Sequence, residues 1–242
     1  MSPHSFVVLL CIIVVLSFSP HSFGSNLLDP NQYAALKALY DALNGDDWNW
    51  RNSSIYGSIW NFEEPDDDPC EWQGLNCSVD HVYINNVTLS NYSLNGRIPD
   101  SLFENLTTLV ALELSQDEGL TGSIPTSICV LQDLEVLDLF NNHLSGPIPA
   151  CIGNVTKLNQ MILNYNYLSG ELPTSMGYLL DLEYLDFDTN QLTGVLPEIF
   201  ENLTKLKLLS IDNNHLKGQI PTSISTLTNL NYLDFDSNDL TG

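Results

Sequence analysis

The chain has 242 residues, and 43% of them are apolar, so it can bury a core and is not disordered by composition. Seven Lys and Arg stand against thirty Asp and Glu, which gives a formal net charge of −23 at pH 7. This balance argues against a nucleic-acid or anionic-membrane binder, because no basic patch is available to neutralise phosphates, whereas it permits cationic partners.

The N-terminal stretch predicts export. Residues 6–18 read FVVLLCIIVVLSF and would span about 20 Å as a helix, which is too short for a hydrocarbon core of about 30 Å. Small residues at Ser22 and Gly24 fit a signal-peptidase site, so residues 1–24 are predicted to be a signal peptide. An uncleaved membrane anchor is the alternative, since no Lys or Arg precedes the run. The predicted location is secreted or extracellular, or a plasma-membrane ectodomain if the chain is a fragment.

Asn-x-Ser/Thr sequons agree with export and mark candidate glycosylation sites. They lie at Asn52, Asn76, Asn86, Asn91, Asn105, Asn154 and Asn202. Asn105, Asn154 and Asn202 share one position of the repeat described below, which is expected on the returning side of each coil. Asn86 and Asn91 would place sugar at the first coil instead.

Residues 25–82 are predicted to form an N-terminal cap. Asp29-Pro30 is a helix start, and apolar residues at helical spacing continue to Leu43, before Gly45 ends the run. The acidic run from Glu63 to Asp68 follows, and it is interpreted either as a weak calcium loop or as a solvated loop.

The remaining chain, residues 83–242, is a repeat of 24 or 25 residues. Each unit has an apolar-x-apolar core followed by Leu, Gly and Pro at fixed offsets, as in Leu137/Leu139, Leu144, Gly146 and Pro149. The apolar pairs are Val87/Leu89, Leu112/Leu114, Leu137/Leu139, Met161/Leu163, Leu185/Phe187, Leu209/Ile211 and Leu233/Phe235. This periodicity predicts a solenoid of about seven coils with the last one incomplete. Since the chain stops at Gly242, midway through a coil, we expect an incomplete gene product, a truncated relative or a chain that caps itself by association.

An Asn stands three residues after most of these apolar pairs. Buried at a bend, its amide must be bonded, and the backbone of the neighbouring coil offers partners. The predicted ladder consists of Asn142, Asn166, Asn190, Asn214 and Asn238. Tyr92 and the insertion around Asp117 depart from it, so the ladder should be irregular in the first two coils.

The segment 134–149, LEVLDLFNNHLSGPIP, fits L-x-x-L-x-L-x-x-N-x-L-[S/T]-G-x-[I/L]-P and resembles the plant-type class of extracellular leucine-rich repeats. The resemblance implies a leucine-rich-repeat solenoid. Its right-handed superhelix would have a concave parallel β-sheet, a 3-10 or irregular convex side and a helical, disulfide-sealed N-terminal cap. Members of that class include ectodomains of receptor-like kinases, receptor-like proteins and polygalacturonase-inhibiting proteins.

Four cysteines follow the signal segment. The stretch DPCEWQGLNC resembles the cap of the same family, in which Cys70 and Cys77 would be disulfide-bonded. A metal site is the alternative, but two further ligands at suitable spacing are lacking, and neither a metal nor a cofactor is predicted. Cys129 and Cys151 lie in adjacent coils, and both a disulfide and two free buried thiols are open interpretations.

The outward positions of successive strands should form columns on the concave face. The predicted ligand-binding residues there are Asp138, Phe140, Tyr165, Tyr184, Asp186, Asp188, Asp212, Tyr232, Asp234 and Asp236. Asp188, Asp212 and Asp236 would lie on strands about 4.8 Å apart and repel by roughly 1–3 kcal/mol per pair. Either a cationic group from a ligand or a metal ion relieves this repulsion, or water and salt screen it.

These observations predict an extracellular recognition module that binds a peptide, glycan or protein on its concave face, in signalling or defence. An enzyme is not expected, because no catalytic motif occurs, and His143 and His215 are interpreted as ordinary surface residues. The alternative is a secreted inhibitor of a cell-wall hydrolase. A structural or ice-binding role would need a regular Thr- or Asn-rich face. The expected partners are protein, peptide or glycan ligands, including ligands with basic groups, and no nucleic acid. The sequence offers no transmembrane segment, so membrane attachment would require missing C-terminal sequence.

Overall fold

The computed structural model describes residues 28–64 and 67–241. The predicted signal peptide therefore lies outside the described residues. Within them, none of the helices has the length and apolar character needed to cross a membrane.

Each coil contributes a three- to five-residue strand to one continuous sheet, which we call the first sheet. Its strands, in spatial order, are β1 (Leu75–Cys77), β2 (Ile84–Thr88), β4 (Ala111–Glu113), β6 (Val136–Asp138), β8 (Gln160–Ile162), β10 (Tyr184–Asp186), β12 (Leu208–Ser210) and β14 (Tyr232–Asp234). The strands β2 to β14 are parallel, and we number the coils one to seven after them. Strand β1 belongs to the cap and pairs antiparallel with β2, so the cap closes the first edge of this sheet.

A second parallel sheet, which the sequence did not predict, follows the first within each coil. Its strands are β3 (Asn95–Arg97), β5 (Asp117–Gly122), β7 (Asn142–Gly146), β9 (Tyr167–Gly170), β11 (Gln191–Val195), β13 (His215–Gln219) and β15 (Asp239–Thr241). The repeated Gly lies at or one residue before the end of most of these strands and has a positive φ, for example 83° at Gly194. An added Cβ there would lie 2.6 Å from the side chain of Glu171, and the left-handed φ itself strains any residue other than Gly.

Helical segments form the third side of each coil. The α-helices are α1 (Pro30–Ala42), α2 (Ser53–Tyr56) and α3 (Asp100–Asn105), and the 3-10 helices are Gly45–Asp47, Pro69–Glu71, Thr126–Val130, Ile152–Asn154, Thr174–Tyr178, Phe200–Asn202 and Thr222–Thr226. The structure thus shows the predicted 3-10 convex side. Four of these 3-10 segments begin at a Pro or directly after one. The proline ring fixes φ at the point where the chain enters the turn.

The repeated apolar positions fill one continuous core. In coil five they are at most 6% exposed: Leu182, Leu185, Phe187, Leu192, Leu196, Ile199 and Leu203. A coil this short cannot bury its own apolar face, so its stability depends on its neighbours. In the cap, Trp48, Trp60 and Trp72 are buried and pack ring against ring, with centroids 5.1 Å and 5.7 Å apart.

The ladder of Asn side chains lies between the two sheets. Asn166 is typical: its Nδ2 donates to the carbonyls of Leu139, Leu163 and Asn164, and its Oδ1 accepts from the backbone N of Leu144. Asn142, Asn190 and Asn214 make equivalent bonds and are buried, while Asn238 is half-buried. One side chain thereby satisfies backbone groups of two coils at the bend between the sheets.

The ladder changes in coils one and two. Asp117 occupies the ladder position, and its Oδ1 accepts from Leu94 N at 2.9 Å as an Asn would. Its second oxygen takes the place of the amide nitrogen, is buried and has no hydrogen-bond partner. Burial raises the pKa of Asp117 to about 6. In coil one, the position is filled by Tyr92, whose hydroxyl lies 3.4 Å from Gln73 Oε1. The predicted irregularity is present, but the insertion leaves Asp117 in the ladder column.

Two disulfides join the four cysteines. Cys70 and Cys77 close the cap, with Cα atoms 5.6 Å apart. Cys129 and Cys151 join coils two and three on the helical side, with a Cα separation of 5.8 Å. Neither pair is available as free thiols in this state.

Candidate ligand-recognition surface

The strand register brings the outward residues of the first sheet into columns. Asp138 pairs with Ile162, Ile162 with Asp186, Asp186 with Ser210 and Ser210 with Asp234. In the column before it, Tyr184 and Tyr232 flank Leu208. The solenoid therefore brings together, on one face, side chains that are up to about a hundred residues apart in sequence.

The second acidic column lies at the bend after each strand. The backbone N of Tyr165 donates to the carbonyl of Asp188, that of Thr189 to Asp212 and that of Asn213 to Asp236. Because each of these bonds links one coil to the next, the three aspartates are neighbours in sequential coils. We call the five aspartates of coils five to seven in the two columns the acidic patch; they are Asp186, Asp188, Asp212, Asp234 and Asp236.

Neutral donors hold several carboxylates of the acidic patch. Asp186 and Asp234 each accept a bond from the backbone N two residues later, at 3.3 Å and 3.0 Å. Ser210 and Asn213 side chains donate to Asp212 at 2.8 Å and 2.6 Å. These bonds fix the directions of the side chains but leave the charge of the patch uncompensated.

None of the ion pairs among the described residues involves the acidic patch. The lysine pairs join Lys37 to Asp41, Lys157 to Asp133, Lys205 to Asp181 and Lys207 to Glu183. Burial raises the pKa of Asp186 to about 6, and the charges of Asp188 and Asp212 act in the same direction. The raised pKa of Asp186 therefore reflects its burial first and the neighbouring carboxylates second.

Tyrosines flank the acidic patch. Tyr184 is half-buried, and Tyr232 is 49% exposed with its hydroxyl 3.0 Å from Asp234 Oδ2. At the edge of the face, Lys207 Nζ lies 5.9 Å from the centroid of the Tyr184 ring and 2.6 Å from Glu183 Oε2. Lys207 thus shows, within the chain, how an ammonium group can be held between an aromatic ring and a carboxylate.

The predicted aromatic residues near the middle of the face lie in coils three and four, beside the acidic patch. Phe140 and Tyr165 meet edge to face, with centroids 5.8 Å apart. Tyr165 also lines a cleft with His143 and Tyr167, two residues that the sequence reasoning treated as surface positions or passed over. The sequence places both residues in one column of the repeat, because His143 and Tyr167 each directly precede the repeated Leu of their coil.

The candidate glycosylation sites occupy two regions. Asn105, Asn154 and Asn202 are the last residues of α3 and of two 3-10 helices, on the helical side; Asn154 and Asn202 are exposed, and Asn105 is half-buried. Asn76 and Asn86 pair across β1 and β2, and Asn91 lies at the bend of coil one. Asn52 precedes α2 and is exposed. Glycosylation at these residues stays a prediction, and it would leave the acidic patch uncovered.

Asp68, Cys70 and His81 have potential ligand atoms within 4.8 Å of one another. The sulfur of Cys70 is bonded to Cys77, and His81 Nδ1 lies 2.9 Å from Asp68 Oδ2. A disulfide sulfur is not a thiolate, so this group in its present state offers two ligands, fewer than a zinc site requires.

Comparisons with known proteins agree with the repeat. Family models described as leucine rich repeat match residues 181–240 and 133–155. Receptor-like protein EIX1 of Solanum lycopersicum is 36% identical over 166 residues, covering 63% of this chain and 16% of EIX1. The chain spans 8–16% of the length of the curated relatives it matches.

Solved structures show the same fold. The plant peptide hormone receptor RGFR1 in complex with RGF2 matches with a TM-score of 0.65 and 34% identity, over 71% of this chain and 26% of that one. A plant ice-binding protein matches with a TM-score of 0.74 and 28% identity, over 88% of this chain and 73% of that one. The matched regions of the receptor kinases are repeat ectodomains rather than kinase domains. The chain belongs to the plant-type leucine-rich-repeat protein family.

Proposed function

We propose that this chain is the ligand-recognition part of an extracellular receptor-like protein and that its concave face binds a peptide with basic side chains. The observation that carries the proposal is the acidic patch, in which five aspartates of coils five to seven face outward without a cationic partner among the described residues. The similarity to a peptide hormone receptor supports a role in signalling at the cell surface.

The flanking tyrosines suit the same ligand. An ammonium or guanidinium group over an aromatic face gains about 0.5–1 kcal/mol at exposed sites. The alkyl stem of Lys or Arg can lie along Tyr184 or Tyr232 while its charged end reaches Asp186 or Asp234. Lys207 makes such a contact with Tyr184 from within the chain.

A secreted inhibitor of a cell-wall hydrolase is the alternative proposal. It would use the same concave face, but its partner would be a folded enzyme, so inhibition of a polygalacturonase by the purified chain would favour it. Ice binding receives less support from this face, because the column from Asp138 to Asp234 mixes Asp, Ile and Ser instead of repeating one small polar residue.

The test uses a hexapeptide of alternating Gly and Lys as the probe and one of alternating Gly and Glu as its counterpart. We expect the Lys peptide alone to bind. The double variant Asp212→Asn/Asp236→Asn should weaken that binding about fivefold or more and flatten its dependence on salt, since both charges act over a distance comparable to the Debye length. Isothermal titration at several NaCl concentrations measures both effects.

The matched control is Glu104→Gln/Glu201→Gln, which removes two charges from exposed positions on the helical side. It should leave the affinity within a factor of two. Equal losses in both double variants would show that only net charge matters, and unchanged binding in the Asp variant would show that the acidic patch is merely solvated. Either result overturns the proposal.

A further inference from the structure

A cleft of about 310 Å³ lies where the two sheets meet in coils two to five. It adjoins the acidic patch, since Tyr165 and Thr189 of its lining hydrogen-bond Asp188, but none of the five aspartates lines it. Its walls include Glu118 of coil two, Asn141 and His143 of coil three, Tyr165 and Tyr167 of coil four, and Thr189 of coil five. A volume near the lower end of the range for ligand pockets, about 300–1,000 Å³, suits one or two small rings.

One wall of the cleft is a fixed aromatic platform. The rings of His143 and Tyr167 are nearly parallel, at 22°, with centroids 5.3 Å apart. His143 Nδ1 hydrogen-bonds the carbonyl oxygen of Glu118, which can only accept, so Nδ1 carries a proton and Nε2 of the neutral ring can accept. Tyr167 is 47% exposed. The stack therefore holds the Tyr167 ring in a fixed orientation and leaves part of it open to a ligand.

The backbone at the rim of the cleft carries unusual residue types. Coils two to seven each bend through a residue with a positive φ; these residues are Gln116, Asn141, Tyr165, Thr189, Asn213 and Ser237. Asn tolerates this left-handed conformation, whereas a bulky or β-branched residue in it is an outlier. Tyr165 (φ 56°) and Thr189 (φ 51°) are such outliers, and both line the cleft. Since Tyr165 is 49% exposed, burial in the core does not explain its presence.

We propose that this cleft binds a neutral carbohydrate made of β-linked sugars with equatorial hydroxyls. Such a sugar ring presents C–H bonds on its flat faces, which pack against an aromatic platform, and hydroxyls around its edge. Asn141, His143 Nε2 and the Glu118 carboxylate lie at the same cleft and provide donors and acceptors for those hydroxyls.

Other ligand classes fit less well. A purely apolar side chain would bury these polar groups without pairing them, which costs about 1–3 kcal/mol for each group. An acidic sugar or a phosphate would meet Glu118, and no Lys or Arg lines the cleft within the described part of the chain. A cationic side chain could approach Glu118, so the test below separates it from a neutral sugar by its response to salt.

The probes are cellotetraose and xylotetraose, titrated into the purified full chain and followed by NMR and calorimetry. We expect saturable binding of at least one of them, with a Kd of about 1 mM or tighter. Tyr167→Ala should weaken binding tenfold or more, and Tyr165→Asn should weaken it while leaving the chain folded, because Asn occupies the same bend in coils three and six. Raising NaCl from about 0.05 M to about 0.5 M should change the Kd less than twofold, since no charge pairs with the ligand.

Tyr178→Ala is the control, because Tyr178 is 70% exposed on the helical side and should not affect binding. The proposal is overturned if neither sugar saturates at millimolar concentration, or if Tyr167→Ala and Tyr178→Ala have equal effects. It is also overturned if tetralysine binds in a salt-sensitive manner and Tyr167→Ala abolishes that binding, which would assign the cleft to a cation. The two sugars carry no basic group, so their failure to bind would leave the proposal for the concave face untouched.

Discussion

The ladder position at the bend between the two sheets is filled by one kind of side chain in coils three to six and by others in coils one and two. In the regular coils a buried Asn bonds three carbonyls and one backbone N–H at the bend between the sheets. In coil two a carboxylate takes that position and leaves one oxygen without a partner. In coil one, Tyr92 fills it, with Trp50 edge-on at 5.9 Å and Arg51 at 4.7 Å from its ring centroid.

The difference shows that the solenoid needs the backbone of each bend to be satisfied, but not by one residue type. In the regular coils each Asn side chain hydrogen-bonds the backbone of the preceding coil as well as its own, so a change in one coil affects the next. Coil one instead depends on the cap, which supplies Trp50, Arg51 and Gln73 as the neighbours of Tyr92. Between them, the raised pKa of Asp117 predicts that the stability of the ladder depends on pH.

The largest expected effect is the loss of a ladder Asn. Asn166→Ala would leave Leu144 N and the carbonyls of coils three and four unpaired in the core, and we expect the free energy of unfolding to fall by about 3 kcal/mol. Urea unfolding followed by circular dichroism measures the change. Asn231→Ala, at an exposed position, is the control and should change stability by less than about 0.5 kcal/mol. Similar losses in the two variants would contradict the role of the ladder.

A smaller effect of opposite sign is expected at coil two. Asp117→Asn restores the amide donor, so it should raise the free energy of unfolding by about 2 kcal/mol near pH 7. The ordinary pKa of this acid is 3.8, and burial raises it to about 6 in the fold. The folded state therefore holds the proton more tightly, and the wild type loses stability as the pH rises from about 4 to above 6.

The pH series distinguishes this account from simple repacking. The gap between Asp117→Asn and the wild type should be small at pH 4, grow through pH 6 and then level off. Urea midpoints at each pH measure it. Glu118→Gln, a charge change at the exposed next residue, should give no such pH-dependent gap. A constant gap across the series would show that Asp117 does not titrate with folding.

The smallest effect is expected in coil one. Arg51→Ala removes a bond from Nη2 to the carbonyl of Ser90 at 2.7 Å and the ring contact with Tyr92, and should cost about 1 kcal/mol. Lys205→Ala is the comparison, because its exposed pair with Asp181 is worth at most about 0.5 kcal/mol. Thermal unfolding should show a larger drop in melting temperature for Arg51→Ala than for Lys205→Ala. Equal drops would show that the cap does not replace the ladder in coil one.

Periodicity was sufficient to predict much of this molecule. The 24-residue spacing of the apolar pairs gave the columns, because strands in consecutive coils must pair in register, as Asp186, Ser210 and Asp234 do. The same spacing brought Cys129 and Cys151 to adjacent coils, where the structure joins them. The second sheet was missed because most of its strands carry one buried Leu among polar residues and Gly, with no alternating apolar pattern to mark them.

The sequence by itself determined the repeat, the ladder column and which residues face outward, since all three follow from a fixed step along the chain. Only the tertiary structure decided how the side chains of different coils meet: that Asp117 keeps one oxygen unpaired, that Lys207 lies beside Tyr184, and that His143 and Tyr167 stack beside Tyr165. Such contacts depend on rotamers and on the stacking of neighbouring coils, and a period along the sequence specifies neither.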